Sequence, residues 1–331
     1  MAPADPQPPA DRNPITDTTA QPAPNATATL LVDGRHALGE CATWCERAQA
    51  FYWTDIEGAR LWRHRSGATP ETESWAMPER LGCFGLTDDA NVLLVGLATH
   101  LALFDLRDGR FERIVEVEPG ERSRLNDGRC DRAGNFVFGM KDEHDPLEAS
   151  TGFYRLNADR SLERLALPPA AIANSIAFSP DGTRMYFCDS LARQIMVCDY
   201  RADGPVARVR PFVALSDASG DPDGSTVDAE GGLWNAQWGG SRVVRYDANG
   251  VETDRVAVPT AQPSCAALGP APGRAGDASG DGEGWRTLYI TSARTGLDEA
   301  ALGADLHAGG VFTANVAYRG LPEARFPLRR G

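Results

Sequence analysis

Residues 174–199 read NSIAFSPDGTRMYFCDSLARQIMVCD, three short runs of mainly apolar residues separated by two polar turns. The first turn, SPDG at 179–182, has the residue types that tight turns require, because proline fixes a negative φ and glycine accepts a positive one. The flanking runs are rich in Ile, Phe, Tyr and Val, which favour strands. The stretch therefore predicts three consecutive antiparallel strands at 174–178, 185–189 and 194–199.

The same order of strand, turn and strand returns along the chain. Each copy carries one pair of mainly aromatic or aliphatic residues in its second strand, and successive pairs lie about 40 to 55 residues apart. The six pairs are Tyr52-Trp53, Leu93-Leu94, Asn135-Phe136, Met185-Tyr186, Leu233-Trp234 and Leu288-Tyr289. A repeat of this length, built from short strands, is typical of a β-propeller in which each repeat is one four-stranded blade. We predict an all-β fold, a six-bladed β-propeller.

The composition is that of one folded domain. The chain has 331 residues, 42% of them hydrophobic, and no apolar run approaches the ~18 residues that a membrane helix needs. We expect residues 27–331 to form a single propeller domain. Residues 1–26 are rich in Pro, Ala and Thr and are predicted to be a disordered tail. The acidic, glycine-rich stretch 271–284 is predicted to be a surface loop of the last repeat.

Charge and cysteine content restrict the partners and the compartment. The net charge of −13 argues against a nucleic-acid partner. The N-terminal segment lacks the basic and apolar stretches of a secretory signal, and seven scattered cysteines fit reduced thiols, so we expect a cytoplasmic protein. We expect a monomer that acts on a small molecule and does not bind membranes.

Several common catalytic signatures are missing. The sequence has no Gly-x-Ser-x-Gly elbow, no phosphate-binding loop and no His-Glu-x-x-His pair. Cys41 and Cys45 have no second cysteine pair and no neighbouring histidine, so a zinc site is not expected there. Residues 219–230 partly match an EF-hand calcium loop, but that motif needs flanking helices and the residues after Gly224 read as strand and turn.

The start of each innermost strand is where a propeller brings different repeats together, because these strands surround the central axis. The residues at this step are Glu40, approximately Cys83, Arg124 to Asn126, Asn174, Asp223 and Ser264. Carboxylate and amide groups gathered there would repel one another or stay unpaired without a cation. We therefore predict one divalent metal on the axis, with Ca²⁺, Mg²⁺ or Mn²⁺ favoured by oxygen ligands and Fe²⁺ or Zn²⁺ as alternatives. The competing interpretation is that each residue only shapes a turn.

Six short motifs occur in order between about residues 30 and 320. They are Leu38-Gly39-Glu40, Tyr52-Trp53-Thr54-Asp55, Arg124-Leu125-Asn126-Asp127-Gly128 with Asp131 and Gly134, Asn174 ahead of Phe178-Ser179-Pro180-Asp181-Gly182, Tyr186-Phe187-Cys188-Asp189-Ser190, and Pro222-Asp223-Gly224 with Asp228-Ala229-Glu230-Gly231 and Trp234. The ordered set resembles the gluconolactonase family that includes regucalcin. It is far more specific than any single motif.

The resemblance implies a propeller that hydrolyses sugar lactones with one divalent metal. It implies that the metal ligands are Glu40, Asn174 and Asp223, that Asp223 is also the catalytic acid and base, and that Arg124, Asn126 and Glu143 bind substrate. His144 is the alternative to Glu143, and a salt bridge to Asp127 or Asp131 is the alternative role of Arg124. Trp238 is expected at the same mouth, either stacked on a sugar or closing a blade loop.

Two departures from the family pattern lie beside predicted ligands. Cys41-Ala42 stands where the family usually has Gly-Pro, and Ser175 stands where it usually has Gly, so we expect an altered loop shape. Stretches 234–240 and 292–297 look most like bacterial pentonolactonases, which suggests L-arabinono-lactone as the substrate, in pentose catabolism.

Other functions remain open. A xylonolactonase or gluconolactonase, a calcium-binding regulator without catalysis, an organophosphate hydrolase and a propeller used only for protein interaction are the alternatives.

Overall fold

The computed structural model describes residues 25–67, 69–216, 219–273 and 284–328. Two short strands come first, β1 (Ala26–Thr27) and β2 (Thr29–Val32). Six sheets of mainly antiparallel strands then follow in chain order, and the prediction of a six-bladed β-propeller is confirmed. The described residues contain one α-helix, α1 (Glu299–Ala304), and a 3₁₀ turn at Ser190–Ala192.

The blades are built from consecutive strands. Blade 1 is β3 (Gly39–Cys45), β4 (Ala50–Asp55), β5 (Arg60–Arg65) and β6 (Glu71–Ala76). Blade 2 is β7 (Leu81–Leu86), β8 (Val92–Leu97), β9 (His100–Asp105) and β10 (Phe111–Glu116). Blade 3 is β11 (Ser123–Cys130), β12 (Phe136–Asp142), β13 (Phe153–Leu156) and β14 (Leu162–Arg164). Blade 4 is β15 (Ala173–Phe178), β16 (Arg184–Asp189), β17 (Gln194–Asp199) and β18 (Ala207–Ala214). Blade 5 is β19 (Asp221–Val227), β20 (Leu233–Trp238), β21 (Arg242–Tyr246) and β22 (Glu252–Ala257), and blade 6 contains β23 (Pro263–Gly269), β24 (Thr287–Ser292) and β25 (Val311–Asn315).

The outer strand of blade 6 comes from the N-terminal end of the described chain. Strand β2 pairs antiparallel with β25, so residues far apart in sequence complete the last blade. Strand β1 pairs in parallel with β22, where Ala26 lies opposite Val256. Of the predicted disordered tail, 1–26, the structure describes only Asn25, whose N–H donates to Arg255 O, and Ala26, the first residue of β1; the rest of the tail lies outside the described residues. Most of the predicted loop at 271–284 also lies outside them.

The innermost strands form a closed ring around the axis. Each of β3, β7, β11, β15, β19 and β23 contacts its two neighbours in that ring. Apolar side chains fill the space between blades. Tyr289 of blade 6, for example, stacks on Trp44 and Phe51 of blade 1 with ring centroids 5.6 and 4.8 Å apart. Because this packing holds each innermost strand against the next, residues at the strand starts are fixed relative to one another.

The C-terminal segment, residues 320–328, covers the end of the axis where the innermost strands finish. Gly320 donates to Trp285 O at 2.8 Å, and Phe326, fully buried, donates to Leu86 O at 2.8 Å. Glu323 pairs with Arg129 between these two anchors. The mouth at which the innermost strands begin is therefore at the opposite end. In the described ranges no helix is both long and apolar enough to cross a membrane.

Candidate active site

A cavity of about 130 Å³ lies where the innermost strands begin. Its lining contains Glu40, Asn126, Asn174 and Asp223 with the cations Arg124 and Lys141, the apolar side chains Leu38, Ile172, Leu191 and Trp238, and the polar residues Ser190 and Asp221. The structure thus brings together five of the six predicted site residues. The sixth, Glu143, is not part of this lining.

The pairing of the innermost strands is irregular beside the polar residues of the cavity. The pairing register shifts between Glu40 and Thr43, between Asn174 and Ala177, and between Pro222 and Ser225. An extra residue in one strand of a pair bends that strand and redirects its side chains. We attribute the convergence of Glu40, Asn174 and Asp223 on one cavity to these bulges.

Two bulge residues have a backbone conformation that favours glycine. Cys41 and Ser175 have φ values of 53° and 61°, a region that L-residues other than glycine adopt at a cost. Ser175 Oγ donates to Asp223 O at 2.6 Å, and Cys41 Sγ accepts from Phe84 N at 3.3 Å. Each side chain therefore links its own blade to the next one along the ring, beside a predicted ligand.

The carboxyl groups of Glu40 and Asp223 are buried together in the cavity. Burial raises the pKa of Glu40, and the nearby Asp127 raises it further. Burial and then the charge of Glu40 raise the pKa of Asp223 well above its ordinary value. Asp223 Oδ1 is buried without a hydrogen-bond partner among the described residues.

These donors fit a hard divalent cation. Two carboxyl groups that repel each other when ionised, together with the amide oxygen of Asn174, are oxygen ligands of the kind such ions prefer. In the part of the chain that the structure describes, no three His, Cys, Asp or Glu side chains are arranged so that they alone could hold a metal ion. A site here would therefore depend on Asn174 for its third protein ligand.

A hydrogen-bonded chain orients that asparagine. Arg124 Nη1 donates to Asn126 Oδ1 at 2.7 Å, and Asn126 Nδ2 donates to Asn174 Oδ1 at 3.0 Å. Asn174 Nδ2 then donates to Ser190 Oγ at 2.9 Å. Because all of these side chains are buried, the amide of Asn174 is held in one orientation, with its oxygen on the side of Asn126.

The guanidinium of Arg124 is only partly satisfied. Burial lowers the pKa of this arginine. Its Nη2 is buried without a hydrogen-bond partner in the described ranges and lies 3.9 Å from Glu57 Oε1. The alternative role for Arg124, a salt bridge to Asp127 or Asp131, is wrong, because its guanidinium lies near Glu57 instead. Asp127 accepts a hydrogen bond from Ile176 N, and Asp131 accepts one from Asn135 Nδ2.

Glu143 and His144 lie in different surroundings. Glu143 Oε1 is 2.6 Å from Arg80 Nη1, and this hydrogen-bonded partner holds the pKa of Glu143 below its ordinary value. His144 Nδ1 is 2.6 Å from Asp142 Oδ1 and lines a separate groove with Ser150. The charge of Arg124 also lowers the pKa of Glu143.

Lys141 is a cavity residue that the sequence reasoning missed. It is the register partner of Arg124, so the two side chains belong to one face of the β11–β12 pair. Predicting the register between β11 and β12 would have identified Lys141, because it lies opposite the predicted substrate residue Arg124.

Comparisons with known proteins identify the family of this chain. A family model described as the SMP-30/Gluconolactonase/LRE-like region matches residues 38–294, a range that includes all six predicted site residues. The L-arabinolactonase of Azospirillum brasilense is 66% identical over 304 residues, covering 92% of this chain and 96% of that protein. The pentonolactonase XacC of Haloferax volcanii is 31% identical, with 92% and 100% covered. Among solved structures, a calcium-binding protein, regucalcin, from Agrobacterium tumefaciens aligns with a TM-score of 0.81 at 28% identity, covering 92% of this chain and 99% of that one.

Proposed function

Because this chain belongs to the SMP-30/gluconolactonase/LRE-like family, we propose that it hydrolyses a sugar lactone to the aldonic acid, with L-arabinono-lactone as its substrate. The observation that carries the choice of substrate is the 66% identity to an L-arabinolactonase across nearly the whole of both chains. The cavity supports the reaction class, since it places two buried carboxyl groups beside Arg124, whose Nη2 has no hydrogen-bond partner among the described residues.

The protein groups have separable roles in this reaction. Glu40, Asn174 and Asp223 would hold one divalent ion, which supplies Lewis acidity toward an ester carbonyl when it is bound. Asp223 accepts a proton from the attacking water as the water oxygen bonds to the carbonyl carbon. It returns that proton to the ring oxygen when the ring C–O bond breaks.

Arg124 and Asn126 bind the polar atoms of the substrate. Arg124 Nη2, which has no hydrogen-bond partner among the described residues, donates to the oxygen that becomes negatively charged. This interaction gains strength in the transition state and therefore accelerates the step. Trp238 and Leu191 offer an apolar wall to the carbon face of the sugar ring. Glu143, held by Arg80, would accept hydrogen bonds from sugar hydroxyls at the rim.

A panel of aldonolactones tests the proposal. Acid release from L-arabinono-, D-xylono-, D-galactono- and D-glucono-lactone would be followed with chelated protein resupplied with Ca²⁺, Mg²⁺, Mn²⁺, Zn²⁺ or Fe²⁺. We expect the highest kcat/KM for L-arabinono-lactone. Metal binding without acid release from any lactone would overturn the proposal in favour of a calcium-binding regulator. A cytoplasmic, monomeric enzyme is part of the proposal, and cell fractionation with size-exclusion chromatography tests that part.

A further inference from the structure

Lys141 is the only lysine in the chain, whereas the other 32 of the 33 Lys and Arg residues are arginines. It is also one of the two cations that line the cavity. An ammonium is a compact charge on a flexible stem, and it does not substitute for the planar fork of arginine. Position 141 is therefore the one place in the sequence where the positive side chain is an ammonium and not a guanidinium.

Lys141 faces another cation. It lies on β12 directly opposite Arg124 on β11, and both side chains line the cavity. Directly opposite residues of an antiparallel pair share a face, with Cβ atoms about 5 Å apart, and like charges in this position destabilise the sheet. Burial lowers the pKa of Lys141, and the charge of Arg124 lowers it further.

The neighbouring carboxylates do not balance the two cations. Glu143 is paired with Arg80 at 2.6 Å, and Glu57 approaches Arg124 only to 3.9 Å. Over the ranges that the structure describes, the Lys141 ammonium forms neither a salt bridge nor a hydrogen bond, although Glu57, Glu143 and Asp223 act on it at longer range. In the proposed function, the charges of Glu40 and Asp223 belong to the divalent ion. Among the described residues, the cavity then holds two cations that lack a closely paired carboxylate.

The reaction itself provides the missing negative charge. A lactone is neutral, but water addition places negative charge on the carbonyl oxygen, and ring opening leaves a carboxylate and releases one proton to solvent. Hydrogen bonds between charged groups are about twice as strong as neutral ones. A cation beside an oxygen that becomes negatively charged only during the reaction stabilises the transition state more than it stabilises the neutral substrate.

We propose, resting on the lactonase function above, that Lys141 acts with Arg124 to bind the negative charge that develops on the reacting carboxyl group. The free aldonate is then a ligand of the cavity in its own right. Neutral parts of the sugar contact Trp238 and Leu191 instead, so their binding does not depend on the ammonium.

Binding of L-arabinonate and of the neutral alditol L-arabinitol to the metal-loaded enzyme, measured by calorimetry, tests the proposal. In Lys141→Met, which keeps the chain length and removes the charge, we expect aldonate affinity to fall roughly tenfold or more, since a lost charge-assisted bond has this effect. Alditol affinity should change less than about threefold, and Lys141→Arg should recover part of the aldonate affinity. Equal losses for both ligands, or no loss for aldonate, would overturn the role.

A measurement on the wild-type enzyme covers the case in which the variants misfold. An amine-specific acetylating reagent can modify only Lys141 and the N-terminus, because there is no other lysine. Mass spectrometry should find Lys141 protected by L-arabinonate and not by L-arabinitol, and equal protection would contradict the proposal. Lactone turnover by the same wild-type sample separates the two claims. Turnover without selective protection rejects the role of Lys141 alone, whereas selective protection without turnover rejects the proposed function alone.

Discussion

Glu40 and Asp223 line the same cavity, where burial and then the charge of Glu40 raise the pKa of Asp223. Their strands, β3 and β19, belong to blades 1 and 5, with blade 6 between them. Two carboxyl groups this close cannot both ionise at low cost without a cation. The fold therefore maintains a buried acidic pair that local sequence could not create, since the two residues are separated by more than half of the chain.

Ser175 should tolerate glycine better than alanine. Its φ of 61° costs little for glycine and about 1 kcal/mol for alanine, and both substitutions lose the hydrogen bonds of Ser175 Oγ to Asp223 O and from Asn235 Nδ2. We expect Ser175→Gly to lower the free energy of unfolding by about 1 kcal/mol and Ser175→Ala by about 2 kcal/mol. Urea unfolding measures both. An alanine variant as stable as the glycine variant would show that the backbone conformation is not strained.

Asp142 should make the fold sensitive to acid. Burial raises the pKa of this carboxyl, but hydrogen bonds from His144, Ser150 and the Glu148 amide outweigh burial and lower it from 3.8 to about 2. A carboxyl with a lower pKa in the folded chain adds stability that is complete above the unfolded value and disappears as pH falls through the folded value. We expect the contribution of Asp142 to vanish between about pH 4 and pH 2.

The variant Asp142→Asn isolates this effect. Its free energy of unfolding should be lower than that of the wild type by about 2 kcal/mol at pH 7, because charged hydrogen bonds are lost. The difference should shrink toward pH 2. Asp145→Asn, at an exposed neighbouring position, serves as the control. A difference between wild type and Asp142→Asn that is independent of pH would contradict the linkage.

Glu323 should matter for stability and not for turnover. It pairs with Arg129 at the end of the axis that residues 320–328 cover, opposite the cavity. Glu323→Ala leaves the guanidinium of Arg129 partly buried without its carboxylate, which costs about 3 kcal/mol. Chemical denaturation should detect this loss while kcat/KM stays within about twofold of wild type. Glu121→Ala, at an exposed position, should change neither quantity, and a large loss of activity in Glu323→Ala would show that the two ends of the axis are coupled.

Local patterns predicted the strands well. The prediction of strands at 185–189 and 194–199 corresponds to β16 (Arg184–Asp189) and β17 (Gln194–Asp199), because apolar runs bounded by turn residues act over a few positions. The closure of blade 6 by β2 had no such signal. Pairing of Leu30 with Phe312 depends on the arrangement of the whole ring, which no short stretch of sequence encodes.

The sequence was sufficient to predict the main residues of the site. Five predicted side chains converge on one cavity, since strand direction in a propeller determines which residues meet. The bulge after each ligand position was not predictable, because a bulge depends on register with a partner strand. The pairing of Glu143 with Arg80 was also missed, since it joins a residue of blade 3 to the segment between β6 and β7.

The most direct test of the proposed function compares acid release from L-arabinono-lactone by the wild type and by Asp223→Asn. Both proteins would be treated with chelator and then resupplied with a divalent ion, and their urea unfolding curves would confirm that both are folded. Wild-type turnover should be lost with chelation and restored by the metal, because Asp223 both holds the ion and transfers the proton. In Asp223→Asn, turnover should stay at least about a thousandfold lower under all conditions. Turnover equal to that of the wild type in Asp223→Asn would contradict the account.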